Sequence, residues 1–76
     1  MTRKLKINGI YKHVKGGKYR VLCSAMHTET MEHLVIYQNV DDPTEIFARP
    51  TEMFLSEVDR NKYPDVSQKY RLELVE

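Results

Sequence analysis

The pair Gly16-Gly17 constrains the fold of this chain most, because it separates two runs of residues that have the composition of β-strands. The first run covers residues 10–15 and the second covers residues 18–27. Two glycines in a tight connection permit the positive φ angles that a two-residue hairpin turn requires. The sequence therefore predicts a β-hairpin over residues 10–27.

The second run alternates between two faces with the period of two that is typical of a strand. One face carries Tyr19, Val21, Cys23 and Ala25, and we expect it to face the core. Cys23 is then buried and unreactive, since no charged cluster beside it would activate the thiol. It is also the single cysteine, so no disulfide can form within the chain, which favours a reducing compartment such as the cytoplasm.

The rest of the chain predicts three more strands and one helical turn. The strands cover residues 33–40, residues 44–49 and the alternating Tyr70, Leu72 and Leu74. Pro50 suits the first position of a helix, where its missing N–H is not needed, so we expect one helical turn from Pro50 to Phe54. Phe54, Leu55 and Val58 then pack on the sheet.

Short antiparallel strands joined by tight turns must curl to cover their edges. We therefore predict a mainly β fold, a small SH3-like barrel of about five antiparallel strands with one short helical turn. An open antiparallel sheet covered by residues 50–58 is the alternative architecture. The 76 residues leave room for one hydrophobic core, so residues 1–76 are expected to form a single domain.

The charges of the chain nearly cancel. The chain has twelve Lys and Arg residues and eleven Asp and Glu residues, for a formal net charge of +1. A nucleic-acid-binding module usually has a strong basic excess, which is missing here. Seven of the twelve cations lie within the first twenty residues, but we favour an evenly charged surface over separate basic and acidic faces. No apolar run suits a signal peptide or a membrane span, so we expect a soluble cytoplasmic protein.

A series of short motifs runs through the chain. They are Gly9-Ile10-Tyr11-Lys12-His13, Gly17-Lys18-Tyr19-Arg20-Val21, His27-Thr28-Glu29-Thr30, Val35-Ile36-Tyr37 and Arg49-Pro50-Thr51-Glu52-Met53-Phe54. The series resembles an uncharacterised family of short bacterial proteins, a domain of unknown function with the motifs G-x-Y-x-H, H-[ST]-E-T and R-P-x-x-M-F. The resemblance covers residues 9–54 and implies a compact barrel without bringing a known activity. The family pattern usually has tryptophan where this chain has Phe47.

Polar and aromatic residues beside the strands exceed what the core of a small barrel needs. The candidate binding residues are Tyr11, His13, His27, Glu29, Thr30, Tyr37, Phe47 and Arg49. Aromatic-lined grooves on small barrels commonly receive extended peptides. Our leading hypothesis is a non-enzymatic binding module whose rim receives a peptide segment, a nucleotide or a small anion, with no cofactor.

A metal site is one alternative, because His13, His27 and Glu29 have the composition of a two-histidine, one-carboxylate centre. The usual spacings of metal ligands are absent, so we assign no metal ligands. We favour a structural role, in which each histidine hydrogen-bonds a backbone carbonyl or Glu29 and stiffens a hairpin end. For Thr28-Glu29-Thr30 we weigh a binding role evenly against a structural one, in which these side chains cap the loop backbone.

Two further functions remain open. A hydrolase would use His27 as a general base oriented by Glu29, with Cys23 or Thr30 as the nucleophile. No glycine-rich oxyanion loop accompanies them, so we assign no catalytic residues. An RNA accessory protein would bind phosphates with its early cations and stack bases on Tyr11 and Tyr37, although the net charge disfavours this role.

Arg49 distinguishes a structural site from a ligand site. Its guanidinium suits a carboxylate or phosphate ligand, or an internal ion pair. Because Glu29 and Glu52 stand in the same motifs, we favour an internal pair between Arg49 and one of these two carboxylates.

Overall fold

The computed structural model describes residues 4–76, and residues 1–3, where the basic start of the chain lies, are outside it. The described residues form five strands and one helical turn. In chain order they are β1 Ile10–His13, β2 Lys18–Met26, β3 His33–Asn39, β4 Ile46–Pro50, α1 Thr51–Phe54 and β5 Leu72–Leu74. The predicted fold class, mainly β with five antiparallel strands and one helical turn, is confirmed.

The strands form one sheet in the order β4-β3-β2-β1-β5, and every neighbouring pair is antiparallel. Within residues 4–76 no ladder joins β4 to β5, so the sheet is open and the predicted barrel is not closed. The chain turns from β4 directly into α1 instead of extending along β5. The open sheet that we gave as the alternative therefore describes the architecture.

The hydrophobic core lies on one face of this sheet. Directly paired residues of an antiparallel ladder share a face, which places Tyr11, Val21 and Tyr37 together. Phe54 of α1 covers them: its ring lies 5.1 Å from that of Tyr11 and 5.2 Å from that of Tyr37, both edge to face. Val58 is buried as well. The predicted packing of the segment after β4 on the sheet is confirmed.

A β-bulge interrupts the alternation of β2. Val21 pairs with Tyr37 while Cys23 pairs with Ile36, so Leu22 is an extra residue on this strand. Since Tyr37 and Ile36 are adjacent and point to opposite faces, Val21 and Cys23 also lie on opposite faces. Cys23 is exposed. The expectation that Cys23 and Ala25 continue the inward face of Val21 is therefore wrong, because the bulge reverses the alternation.

Of the two glycines in the β1–β2 turn only Gly16 has a positive φ, and the turn covers residues 14–17, longer than the predicted two-residue turn. Gly16 adopts φ +110°, a conformation that residues with a side chain rarely adopt. The N–H of His13 donates to the carbonyl of Gly17 at 2.7 Å, and the N–H of Gly16 donates back to the carbonyl of His13 at 2.8 Å. These bonds close the hairpin at the end of β1.

Across residues 4–76, no helix has the length and apolar character needed to cross a membrane.

Candidate functional site

Three aromatic rings from neighbouring strands form a cluster on the core face of the sheet. The ring of Tyr37 lies 5.5 Å from those of Tyr19 and Phe47, and Tyr19 and Phe47 are 6.0 Å apart. Tyr37 is only 6% exposed, whereas Phe47 is 39% exposed. Burial raises the pKa of Tyr37, which keeps its hydroxyl protonated at neutral pH. The ring of Phe47 is therefore accessible to solvent while it packs against the rings of Tyr19 and Tyr37.

We call the depression beside these rings the aromatic cleft, lined by His13, Tyr19, Tyr37, Phe47 and Arg49 together with Lys15. Its volume is about 220 Å³. A second depression, of about 210 Å³, adjoins it and is lined by His13, Lys15, Arg49, Lys62 and Arg71. We call this second depression the basic cavity. Asp59 also lines it, so four cationic side chains and one carboxylate surround the space.

Contacts from distant parts of the chain assemble the basic cavity. Arg71 stands directly before β5, and its carbonyl accepts the N–H of Val14 at 3.0 Å, which ties it to the end of β1. Lys62 belongs to a tight turn in which its N–H donates to the carbonyl of Asp59 at 3.1 Å. Arg49 comes from the opposite edge strand, β4. The cavity thus depends on the sheet order.

Arg49 carries an unpaired polar atom in this site. Its side chain is half-buried, and Nη1 is buried without a hydrogen-bond partner within residues 4–76. The predicted pair with Glu29 or Glu52 is not made through this atom. Glu52 lines a different cavity, and Glu29 lies in the exposed β2–β3 loop. A buried donor without a partner is costly, so the N–H groups of Nη1 are unsatisfied donors to which a ligand oxygen would be a favourable acceptor.

His13 stands beside Arg49 in both depressions. Its Nδ1 accepts a hydrogen bond from the backbone N–H of Lys15 at 3.0 Å, which leaves Nε2 to carry the proton. Burial first, and then the positive charges of Arg49, Lys15, Arg71 and Lys62, lower the pKa of His13. At neutral pH the imidazole is therefore neutral.

The other candidate residues lie elsewhere. Tyr11 is 2% exposed and belongs to the core, where its hydroxyl accepts the N–H of Lys6 at 3.1 Å. In the β2–β3 loop, Nδ1 of His27 accepts the N–H groups of Glu29 at 3.1 Å and Thr30 at 3.3 Å. Nδ1 of His27 therefore caps the loop by accepting backbone N–H groups, so the hydrogen bond to a backbone carbonyl that we predicted is not the one made by this atom.

The structure brings together His13, Tyr37, Phe47 and Arg49, but it does not bring His27 to them. β2 has nine residues and spans about 30 Å between the two hairpin ends that His13 and His27 stiffen. The combination of His13, His27 and Glu29 as metal ligands is therefore not formed. Within residues 4–76, no group of three or more His, Cys, Asp or Glu side chains is arranged to hold a metal ion.

Sequence reasoning missed Lys15, Lys62 and Arg71 as site residues, and it placed Tyr19 on the core-facing side of its strand without naming it as a binding residue. Lys15 had a local signal, since it lies between His13 and the glycine turn. Lys62 had none, because it stands in a polar loop without a periodic pattern, and Arg71 had only its place between Tyr70 and Leu72 on the predicted last strand. Only the pairing of β5 with β1 brings that region to the end of the first hairpin.

A family model described as protein of unknown function (DUF1653) matches residues 9–73. The chain belongs to this family. The DUF1653 match extends beyond the motif-bearing residues 9–54 and includes the segment that supplies Lys62 and Arg71 to the basic cavity. Comparison with curated proteins gave no match, and comparison with solved structures gave none either.

Proposed function

We propose that this DUF1653 chain is a non-enzymatic binding module of the cytoplasm that binds a small anion in the basic cavity. The buried, unpaired Nη1 of Arg49 carries the proposal. A guanidinium N–H paired with a charged oxygen forms one of the stronger hydrogen bonds in proteins. A peptide carbonyl would also accept from this donor, but the charged oxygen of an anion, free or within a nucleotide, forms the stronger hydrogen bond.

The charge of the surroundings supports an anionic ligand. Lys15, Lys62 and Arg71 line the cavity with Arg49, and Asp59 is the acidic residue among the side chains that line it. Positive charges held around a partly desolvated space repel one another, and an anion between them would relieve that repulsion. The same electrostatics would repel a cationic ligand such as a lysine side chain.

Geometry favours binding over catalysis. Cys23 and His27 are four residues apart, about 13 Å along extended chain, and Cys23 lies on the face opposite the core. Nδ1 of His27 already accepts two backbone N–H groups. The thiol and the imidazole are thus not placed as nucleophile and base. The exposed, unpaired thiol of Cys23 supports a reducing compartment, in keeping with the cytoplasm.

An RNA accessory role is the second candidate, and the exposed ring of Phe47 favours it, because this ring lines the aromatic cleft with Lys15 and Arg49. Tyr11 and Tyr37, the rings that this hypothesis assigned to stacking, are both buried. Binding of single-stranded RNA that survives near-physiological salt would place this role first.

Titration of the ¹⁵N-labelled protein with inorganic phosphate tests the proposal. We expect saturable shifts of the backbone amides of His13, Lys15 and Arg49. Arg49→Met retains the apolar stem but removes the charge, and it should weaken binding at least tenfold. Lys18→Met is the matched control, because Lys18 is exposed and lies on the outer face of β2. Equal weakening in both variants, or no saturation in the parent protein, would contradict a built anion site.

A further inference from the structure

The basic cavity and the aromatic cleft share three side chains, His13, Lys15 and Arg49. A ligand whose anionic group lies against Arg49 therefore has the ring of Phe47 within the adjoining depression. We propose that the ligand is a phosphate monoester that also carries a planar ring, of the nucleoside monophosphate class, in which a sugar joins the phosphate to the base. This inference rests on the proposed anion-binding function and adds the chemistry of the group next to the anion.

The charge balance favours phosphate over carboxylate. The four cationic side chains of the basic cavity exceed its one carboxylate, Asp59, by more than a singly charged ligand would neutralise. A phosphate monoester carries close to two negative charges at neutral pH and has three terminal oxygens as hydrogen-bond acceptors. It can accept from the guanidinium of Arg49 and still contact a lysine on the other side of the cavity.

The aromatic cleft provides the binding surface for a planar ring. Phe47 is 39% exposed although its ring contacts two other aromatic rings. Tyr37 supports it at 5.5 Å with a tilt of 36°, and Tyr19 contacts it edge to face. A base that stacks on a preorganised ring gains affinity in a way that tolerates different bases. The cleft, at about 220 Å³, is as large as the basic cavity, so it accommodates a group larger than the phosphate alone.

A comparison of AMP with ribose 5-phosphate isolates the contribution of the ring. We expect AMP to bind about tenfold more tightly, since both carry the same phosphate and only AMP has a base to stack. Phe47→Leu should remove that margin and leave the affinity for ribose 5-phosphate within about twofold. Ile46→Ala is the matched control, because Ile46 is 56% exposed on the same strand but on the opposite face.

Two measurements keep this test decisive. Thermal melts identify a Phe47→Leu variant that fails to fold, and in that case contacts between AMP ring protons and the Phe47 ring are sought by NMR in the unaltered protein. A 5′-phosphorylated dinucleotide distinguishes a free nucleotide from the end of an oligonucleotide: tenfold tighter binding than AMP assigns the site to an oligonucleotide end, and equal binding assigns it to the free nucleotide.

The possible failures are separable. If AMP and ribose 5-phosphate bind with the same affinity, or if AMP makes no contact with Phe47, the ring inference is wrong while the anion site stands. If inorganic phosphate, ribose 5-phosphate and AMP all fail to bind, the proposed function itself is wrong.

Discussion

Arg49 and His13 line the same two depressions although their strands, β4 and β1, are separated in the sheet by β3 and β2. The two side chains also interact electrostatically, because the charge of Arg49 contributes to the lowered pKa of His13. The twist and coiling of a sheet bring side chains of non-neighbouring strands together on its concave face. Changes at these two residues therefore test the site most directly.

Arg49→Met should leave the free energy of unfolding unchanged or raise it by up to about 1 kcal/mol. The buried Nη1 has no partner, and an unsatisfied buried donor is destabilising by roughly 1–3 kcal/mol. Methionine retains most of the apolar stem and removes that donor. Chemical denaturation of the parent and the variant measures the difference. A loss of 2 kcal/mol or more, on the order of a buried pair broken on one side, would instead support the internal ion pair.

Val21→Ala and Cys23→Ala should differ sharply although the residues stand two apart on β2. Val21 is 0% exposed, and its truncation should lower the free energy of unfolding by roughly 2 kcal/mol. Cys23 lies on the exposed side of the bulge, so its truncation should change stability by no more than about 0.5 kcal/mol. Thermal and denaturant melts compare the two. Similar losses in both would mean that the alternation continues through Leu22.

Native Cys23 should react rapidly with a thiol reagent, because its side chain is exposed. The rate should lie within about tenfold of the rate measured on the protein unfolded in denaturant, where access is complete. Colorimetric labelling under both conditions gives the ratio, with Cys23→Ser as the blank. Protection by several orders of magnitude in the native state would restore the original expectation of a buried thiol.

The stability of the protein should fall as the pH is lowered from about 7.5 to about 5. The pKa of His13 is lowered from 6.5 in the folded state, so the unfolded chain takes up the proton first. The contribution of His13 is complete above the unfolded value and is lost as the pH falls through the folded value. The charged groups near His13 are Arg49, Lys15, Arg71, Lys62 and Asp59.

His13→Asn is the control for this pH dependence. An asparagine side chain can accept the N–H two residues ahead, as Nδ1 of His13 does from Lys15, but it does not titrate. We expect the variant to lose less stability than the parent between pH 7.5 and 5. Parallel melting curves for the two proteins over this range would show that His13 makes no such contribution.

Local chemistry explains which features were predictable. Gly16 marked the first hairpin because the turn needs a positive φ, and Pro50 marked the start of α1, although it is the last residue of β4 and the helical turn begins at Thr51. His13 and His27 were likewise recognised from the sequence as residues of the hairpin ends. Their hydrogen bonds reach only two or three residues along the chain, a distance over which sequence determines geometry.

The grouping of the candidate site residues was less predictable. Tyr11 and Tyr37 have the same side chain and stand in similar motifs, yet Tyr11 is a core residue and Tyr37 also borders the aromatic cleft. Phe54 of α1 covers both rings, but Tyr37 also contacts the Tyr19 and Phe47 rings that line the cleft. No spacing within either strand carries that information, because the contacting rings lie on other elements.

The sequence by itself determined the strands, their turns and the helical turn after Pro50, because alternation, glycine and proline act within a few residues. Only the tertiary structure decided that Leu22 forms a bulge, which moves Cys23 to the outer face. It also decided that Lys62 and Arg71 join Arg49, since β5 pairs with β1 across most of the chain length. Register and strand order depend on the summed packing of distant segments, and no local pattern encodes that sum.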